Sequence, residues 1–395
     1  MAIVLFILAA LQFTHIMDFM IIMPLGDEFM RLFNITPKEF SILVSSYTFT
    51  AGTASFTSAF FIDRFDRKKA LIFVNTGFFI GTALCGLADT FPLLLGARVV
   101  TGMFGGLINS LLFTIVGDAF PIDKRSGAMG VITASFSVAA VLGVPSGLYL
   151  ANLYGWQFPF FVMAALGAIV LVFVIKFIPN MTSHLEGINV KRSPLELLKI
   201  LLAKRNQQLA LIFMLLLVLG QFMVIPFIAP FMIRNVGFTS EEIPLIYLVG
   251  GGLTIFTGPL IGKLADKYGR KQIFLIMAAL SIIPLYVLTN LQTVPLYMAL
   301  AVNGLFYVCI SGRMIPSNAL MTSVVLPENR GGFMSLSSSF QQIGAGIASL
   351  VAGIVVYIAA DGTLHNYQYV GYLGIATTII AILISLKLTT LEGSK

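Results

Sequence analysis

Long apolar runs recur along the whole chain and are separated by short polar segments. A helix needs about 20 residues to cross a hydrocarbon core of about 30 Å. Because lipid offers no partner to free backbone N–H and C=O groups, each run is predicted to be an α-helix. The twelve predicted spans are 1–25, 41–62, 70–88, 92–118, 127–151, 157–178, 208–233, 243–262, 271–290, 296–324, 332–359 and 367–389. The pattern therefore predicts an all-α membrane protein with twelve transmembrane helices.

The composition supports this prediction. Hydrophobic residues make up 58% of the 395 positions and charged residues only 10%, which a soluble domain does not tolerate. The formal charge of +7 is spread over short loops, so no nucleic-acid partner is expected. Cys85 and Cys309 lie in separate apolar runs, which excludes a disulfide framework. No metal and no cofactor is expected.

Basic residues set the predicted orientation. They concentrate in the loops after even-numbered spans, for example at Arg67, Lys124 and Lys271, and such loops face the cytoplasm. The first apolar run lacks a basic n-region and a small-residue cleavage site, so it is predicted to be a span rather than a signal peptide. Both termini are therefore expected inside, on a multi-pass protein of the plasma membrane.

The chain has an internal repeat. Asp63–Lys68 matches Asp266–Lys271 at an offset of 203 residues, and Arg125–Met129 matches Arg330–Met334 at 205. A polar connection with a short amphipathic run divides the two copies. The predicted organisation is a six-helix bundle at 1–178, a cytoplasmic linker with an amphipathic helix at 179–206, and a second six-helix bundle at 207–395. Two pseudo-symmetric bundles are expected to enclose a binding cavity.

The segment Gly262–Lys271 resembles the cytoplasmic signature of the major facilitator superfamily, with Asp266, Gly269 and Arg270 at the signature spacing. In the first-half copy, Ala59 and Asp66 stand where the family has glycines. The resemblance covers nearly the full length and implies the major facilitator fold and secondary transport.

A conformational latch on the cytoplasmic side follows from this resemblance. An aspartate at the end of span 2 can cap the N-terminus of a helix from the other bundle, and Arg67 can pair with Asp118. The repeat places Ser323 opposite Asp118, so the second copy lacks its acid. The alternative is a solvated loop that only sets topology. The predicted latch residues are Asp63, Arg64, Arg67, Asp118, Asp266 and Arg270.

Charged residues within spans predict proton coupling. Arg98 lies in a segment that resembles the second motif of the family, and it needs a partner inside the membrane. Asp18, in a segment that resembles the first-helix motif of proton-coupled efflux carriers, lies at a similar depth. His15 shares its helix face. The alternatives are a static Asp18–Arg98 pair and a satisfied core histidine.

Span 5 contains Gly143, Pro145 and Gly147, which resemble the antiporter motif of the superfamily. Small residues and a kink allow another helix, expected to be span 8 with Gly250, Gly251, Gly252 and Gly258, to approach closely and to seal the cavity against ion leak. This motif favours export, although the same residues could serve ordinary packing.

Substrate contacts are predicted from polar residues at mid-membrane depth. Arg313 lies near the centre of span 10, and no acid occurs at a mid-span position of the second half. Substrate, Asp18 or helix C-terminal carbonyls could answer its charge. The amides expected to accompany it are Asn109, Gln221, Asn303, Gln341 and Gln342. A neutral polyol, a sugar or an anionic amphiphile fits these groups better than a lipophilic cation.

The function predicted is proton-coupled efflux of a small organic compound, such as a drug or sugar, by alternating access. The resemblance is to bacterial drug/proton antiporters and arabinose-efflux-type permeases, which implies a bacterial inner-membrane monomer whose partners are substrate, protons and lipid. A proton-coupled symporter that imports a sugar or organic anion is the alternative. A membrane enzyme would need clustered catalytic groups, and a receptor or scaffold would usually bring a soluble domain; the sequence has neither.

Overall fold

The computed structural model describes residues 2–58, 65–181, 202, 204–326 and 330–389. Within these ranges the chain is nearly all helical. The helices are α1 (Ala2–Ile21), α2 (Gly26–Leu32), α3 (Pro37–Ser58), α4 (Arg67–Leu87), α5 (Phe91–Ala119), α6 (Ile122–Val138), α7 (Val144–Tyr154), α8 (Phe158–Phe177), α9 (Arg205–Phe222), α10 (Ile228–Phe231), α11 (Ile243–Tyr268), α12 (Arg270–Thr289), α13 (Leu296–Ser323), α14 (Arg330–Val355) and α15 (Tyr367–Lys387).

Eleven helical segments of the described chain are long and apolar enough to cross a membrane. The second predicted span corresponds to α3, which has 22 residues but is not among the eleven because its serines and threonines make it less apolar. The predicted all-α membrane fold is confirmed. The amphipathic helix expected in the linker lies outside the described residues.

Two spans are interrupted near prolines. A π-turn at Ala139–Gly143 precedes Pro145 and joins α6 to α7. The seventh span breaks after α9, continues as a 3₁₀ turn at Ile225–Phe227 that contains Pro226, and ends in a π-turn at Met232–Val236. Proline has no backbone N–H, so the regular hydrogen-bond pattern cannot pass through it unchanged.

A short β-hairpin, which the sequence did not predict, precedes α15. Strand β1 (Tyr357–Ile358) pairs antiparallel with β2 (Leu364–His365). In the turn between them, the hydroxyl and the backbone N–H of Thr363 donate to Asp361 Oδ1. These hydrogen bonds lower the pKa of Asp361, so this carboxylate stays charged at neutral pH.

The chain forms two compact units. The first holds Met1–Ile22 and Ser46–Pro194, and the second holds Met23–Ser45 and Leu195–Lys395. The segment Met23–Ser45 belongs by sequence to the predicted first bundle, yet it packs within the second unit. In that unit, Phe40 contacts Phe227 edge-on, and Ser349 donates to the Ser41 carbonyl.

Capping boxes at the starts of α3 and α11 extend the repeat. Thr36 and Glu39 exchange hydrogen bonds before α3. At an offset of 203, the backbone N–H and the hydroxyl of Thr239 both donate to Glu242 before α11. A threonine and a glutamate three residues apart satisfy free N–H groups at a helix start. The two halves therefore begin their second helix with the same device.

An aromatic residue and a glycine exchange places between the two halves. Tyr47 of α3 faces α5 where Gly102 lies against the Tyr47 backbone, and a Cβ at Gly102 would lie 2.5 Å from the Tyr47 carbonyl oxygen. The repeat maps Tyr47 onto Gly250 and Gly102 onto Tyr307. A Cβ at Gly250 would lie 2.3 Å from the Tyr307 ring. The glycine of the first half therefore accommodates the backbone of the facing helix, and the glycine of the second half accommodates the Tyr307 ring.

Gly106 is required where α5 crosses α3. A Cβ at this position would lie 2.1 Å from the Ala51 carbonyl oxygen, and backbone cannot move aside as a side chain can. We expect Gly106→Ala to destabilise the protein by about 1–3 kcal/mol or more and to lower its apparent melting temperature in detergent. Gly96→Ala on the same helix is the control, because a Cβ at Gly96 meets nothing within 4 Å. Equal melting temperatures for the two variants would contradict the assigned contact.

Candidate functional site: a buried ion pair and its neighbours

Asp18 of α1 and Arg98 of α5 form an ion pair inside the first unit. Arg98 Nη1 lies 2.7 Å from Asp18 Oδ2, and the two side chains are 0% and 1% exposed. The same nitrogen approaches the Asp18 backbone carbonyl at 3.4 Å. Their similar depth in the sequence predicted this contact, which the structure has. A buried pair of this kind is stable only while both partners stay together.

Polar and aromatic groups surround the pair. The Thr82 hydroxyl of α4 donates to Asp18 Oδ1 at 3.1 Å, so both carboxylate oxygens are bound. The Tyr47 ring lies under the guanidinium, with Arg98 Cζ 4.3 Å from the ring centroid. Arg98 Nε has no hydrogen-bond partner among the described residues. The site thus contains one carboxylate and one guanidinium. The sequence analysis did not identify Thr82 and Tyr47 as neighbours of this pair.

His15 lies beside this pair. Its ring centroid is 5.6 Å from that of Phe78 and 6.4 Å from that of Tyr47, and neither ring nitrogen has a hydrogen-bond partner in the described chain. Gly105 makes room here, because a Cβ on it would lie 2.5 Å from the Tyr47 hydroxyl and 2.9 Å from His15 Nε2. The histidine is therefore not a core histidine satisfied by the protein. Its role in proton transfer stays a prediction.

The predicted latch contact of the first half is present. Arg67 Nε lies 2.9 Å from Asp118 Oδ2. Its repeat counterpart, Arg270, instead donates to the Ser323 hydroxyl at 2.7 Å, as expected from the serine opposite Asp118. Asp266 is exposed at the end of α11. Asp63 and Arg64 lie outside the described residues.

The glycine missing from the first signature copy has a structural explanation. Asp66 caps α4 with φ −54°, and its side chain accepts hydrogen bonds from the N–H groups of Lys69 and Met181. Gly269, at the matching point of the second copy, has φ +100°, a conformation that disfavours side chains. The first turn therefore does not need a glycine.

Arg313 is fully buried within the second unit. Its guanidinium donates to the hydroxyls of Ser281 and Thr378 and to the Leu217 carbonyl, at 2.9–3.2 Å. Hydroxyls and a carbonyl thus occupy two of its nitrogens, while Nε has no partner among the described residues. The Leu217 carbonyl lies before the last turn of α9, so it is not one of the helix C-terminal carbonyls predicted as partners. Substrate contact by Arg313 stays a prediction.

The predicted amides occupy different places. Asn109 Oδ1 accepts from Gln12 at 3.4 Å in the first unit. In α14, Gln341 donates to the Ser337 hydroxyl at 3.3 Å, and Gln342 is half-buried. Gln221 lies in the last turn of α9, and Asn303 is buried in α13. Their role as substrate contacts stays a prediction.

The antiporter-like motif packs against α1. A Cβ at Gly143 would lie 3.2 Å from the Met17 side chain, and one at Gly147 would lie 2.8 Å from Ile21. Pro145 follows the π-turn in the first turn of α7. Small residues here permit close approach to the helix that carries Asp18.

A second ionic cluster, which the sequence reasoning missed, lies in the second unit. Asp27 of α2 is 2% exposed and binds two arginines, with Nε of Arg31 at 2.9 Å and Nε of Arg234 at 2.5 Å. Arg234 Nη1 also donates to the Gly362 carbonyl in the hairpin turn. The repeat offset of 203 maps Arg31 onto Arg234, and this correspondence was the one sequence feature that linked the two arginines. We call these residues the Asp27 cluster.

Metal chemistry finds no support in the described residues. They contain no group of three or more His, Cys, Asp or Glu side chains that could hold a metal ion. Cys85 and Cys309 are both buried and free.

A nearly all-helical chain whose described residues contain eleven candidate spans, with a buried ion pair inside them, has the structure of a multi-pass membrane protein. The profile of the Major Facilitator Superfamily matches residues 8–224 and 210–394. The chain therefore belongs to this superfamily of secondary transporters.

Individual relatives agree with this assignment. The MFS-type transporter YtbD of Bacillus subtilis (strain 168) is 26% identical over 323 residues, which is 80% of this chain and 78% of the relative. Multidrug resistance protein 3 of the same organism is 34% identical over 122 residues, which is 31% of this chain and 24% of that protein. A crystal structure of a D-xylose-proton symporter superposes with a TM-score of 0.79 at 14% identity, over 98% of this chain and 99% of the other. The last match shows a shared fold.

Proposed function

We propose that this transporter is a proton-coupled antiporter that expels a small organic compound from the cytoplasm. The observation that carries the proposal is the Asp18–Arg98 pair, whose side chains are almost completely buried. A carboxylate inside the membrane is costly unless it is paired or protonated. Proton uptake by Asp18 is therefore coupled to any movement that separates it from Arg98.

The coupling step follows from the neighbours of the pair. When Asp18 loses Arg98, the carboxylate takes up a proton and keeps a hydrogen bond to Thr82. Arg98 keeps its contact with the Tyr47 ring, which stabilises a cation that has lost its counter-ion. His15, next to Tyr47, is positioned to carry the proton to or from Asp18. Proton binding and conformation thus depend on each other.

Export is favoured by two observations. Gly143 and Gly147 let α7 pack closely on α1, the helix that carries Asp18, and a tight seam at this place limits proton leak. A third of the chain aligns with a protein named for multidrug resistance. The substrate contacts proposed are Arg313 and the five amides named above, with a substrate that is neutral or anionic.

The proposed orientation places the basic loops in the cytoplasm of a bacterial cell, with both termini inside and the chain working as a monomer in the inner membrane. The loop of β1 and β2 then faces outward, as does the Asp27 cluster, which bonds to it through Gly362.

The direction of transport can be tested in everted membrane vesicles. Respiration acidifies their interior, and an antiporter substrate added outside releases protons, which restores the fluorescence of a pH-gradient dye. We expect a neutral aryl polyol, phenyl β-D-glucoside, to restore it more strongly than ethidium, because the buried Arg313 guanidinium is bound by hydroxyls and a carbonyl rather than by an acid.

Three results would contradict parts of this proposal. Recovery with ethidium that equals that with phenyl β-D-glucoside would contradict the substrate class. Uptake of the glucoside into right-side-out vesicles under an outside-acidic gradient, without recovery in everted vesicles, would establish symport instead. Recovery that is unchanged in the Asp18→Asn variant would remove the coupling role of the pair.

A further inference from the structure

Asn303 of α13 carries a buried oxygen without a partner. Its side chain is 0% exposed, and Nδ2 donates to the Ala299 carbonyl at 2.8 Å. This bond fixes the amide orientation, because the oxygen could not take the same place opposite a carbonyl. Oδ1 is therefore an acceptor, and nothing in the described chain donates to it. A buried acceptor without a donor destabilises the protein, and a ligand that donates to it removes this cost.

Gln221 presents a second such oxygen. It lies in the last turn of α9, directly before the break in the seventh span. Its Oε1 is buried and likewise has no donor within the described residues. Interrupted transmembrane helices are common places for substrate sites, because the turn frees backbone and side-chain groups for a ligand.

The repeat relates these two amides to the ion pair of the first half. The offset of 203 maps Asp18 onto Gln221, and the offset of 205 maps Arg98 onto Asn303. The charged pair of one half is therefore replaced by two neutral amides in the other. Side chains of this kind cannot take up or release a proton at physiological pH, but they can hydrogen-bond to a neutral group.

Three tyrosines of the second unit are linked to the amides by position along a helix, by a ring contact or by a hydrogen bond. Tyr307 follows Asn303 by one helical turn, and its ring centroid is 6.1 Å from that of Tyr247 in α11. Neither of these two hydroxyls has a hydrogen-bond partner among the described residues. Tyr367 donates its hydroxyl to the Val224 carbonyl, in the break that follows Gln221. We call Gln221, Asn303 and these three tyrosines the tyrosine–amide cluster.

The chemistry of this cluster defines a ligand. It offers two unfilled acceptors and aromatic surface, and none of its five residues carries a charge. We infer that the tyrosine–amide cluster binds a neutral compound that donates hydrogen bonds from hydroxyl or amide groups and carries an apolar or aromatic part. This inference rests on the proposed transport function and names the substrate class of its second half.

The inference can be tested by measuring ligand binding to the purified full-length protein in nanodiscs, where no proton gradient exists. The probes are phenyl β-D-glucoside, its tetra-O-methyl ether, which keeps the shape and loses every hydroxyl donor, and tetraphenylphosphonium. By titration calorimetry we expect the glucoside to bind at least about tenfold more tightly than the ether or the cation. Gln221→Leu and Asn303→Leu should each weaken glucoside binding about tenfold, since one acceptor is lost in each.

Matched controls separate loss of the site from loss of the fold. Gln208→Leu changes an exposed glutamine on α9, and Asn290→Leu removes an asparagine that also donates to the carbonyl four residues earlier, outside the cluster. Both should bind the glucoside as the native protein does. If Asn303→Leu does not fold, Gln221→Leu alone decides the result.

The inference is overturned if the ether binds as well as the glucoside, if neither binds, or if the Gln221 variant binds like the native protein. The glucoside result is independent of coupling: an Asp18→Asn protein that still binds the glucoside but moves no protons supports both proposals. Binding without any proton movement in the native protein would contradict only the proposed antiport.

Discussion

Asp18→Asn is expected to abolish proton-driven transport, with a loss of at least about 100-fold in gradient-driven flux. Asparagine keeps the shape of the side chain and can still interact with Thr82 and Arg98, but it cannot exchange a proton. The measurement is flux of phenyl β-D-glucoside in proteoliposomes with and without a pH gradient. Binding of the same compound should change little, because Asp18 acts on the coupling step.

The control is Asp89→Asn, which removes an exposed acid that follows α4 and should retain full flux. Arg98 is left without its counter-ion in Asp18→Asn, and an unpaired buried charge costs about 3–5 kcal/mol. The double variant Asp18→Asn, Arg98→Gln removes both charges and should recover stability without recovering flux. Gradient-driven flux within threefold of the native value in either folded variant would show that the pair is only structural.

Asp27→Asn is expected to open the end of the second unit that holds the Asp27 cluster. The buried carboxylate holds Arg234, and through it the Gly362 carbonyl of the hairpin turn, so its neutralisation weakens the packing of Met23–Ser45. A cysteine placed at Ser41, which is 0% exposed and faces Gly353, reports this opening. The two native cysteines are buried, which keeps the background low. We expect labelling by an impermeant maleimide to rise at least about tenfold, equivalent to about 1.4 kcal/mol.

Arg31→Gln provides the matched control, because Arg31 binds the same carboxylate but its side chain is 60% exposed. Exposed ion pairs contribute about 0–1 kcal/mol, so labelling should change less than about threefold. Equal labelling in the Asp27 and Arg31 variants would mean that the cluster does not hold this side closed.

Much of the first-half site followed from sequence because membrane depth is a strong constraint. Asp18 and Arg98 are each too costly to bury alone, and their distances from the span ends gave the same depth. The internal repeat placed Ser323 at the position that corresponds to Asp118. In the structure, Arg270 donates a hydrogen bond to the Ser323 hydroxyl. These predictions required only the depth of each residue in the membrane and the alignment of the two halves of the sequence.

Other features depend on lateral packing, which periodicity does not encode. Thr82 and Tyr47 reach the pair because α4 and α3 approach α5 at glycines, and a sequence does not say which helix lies beside which glycine. The Asp27 cluster joins residues more than 200 positions apart. The placement of Met23–Ser45 in the second unit has the same origin. Arg313 was recognised as unusual, but its hydroxyl partners lie on α12 and α15.

The exchange of Tyr47 and Gly102 for Gly250 and Tyr307 restricts how the two halves could diverge. If both descend from one ancestral six-helix unit, at least one half has moved its ring from one helix to the other. In the second half a side chain at Gly250 would overlap the Tyr307 ring, and in the first half a side chain at Gly102 would overlap the Tyr47 backbone. A larger residue at either glycine therefore gives a less stable protein, and each helix depends on its own partner. Recombination between the halves is therefore restricted to helix pairs that are inherited together.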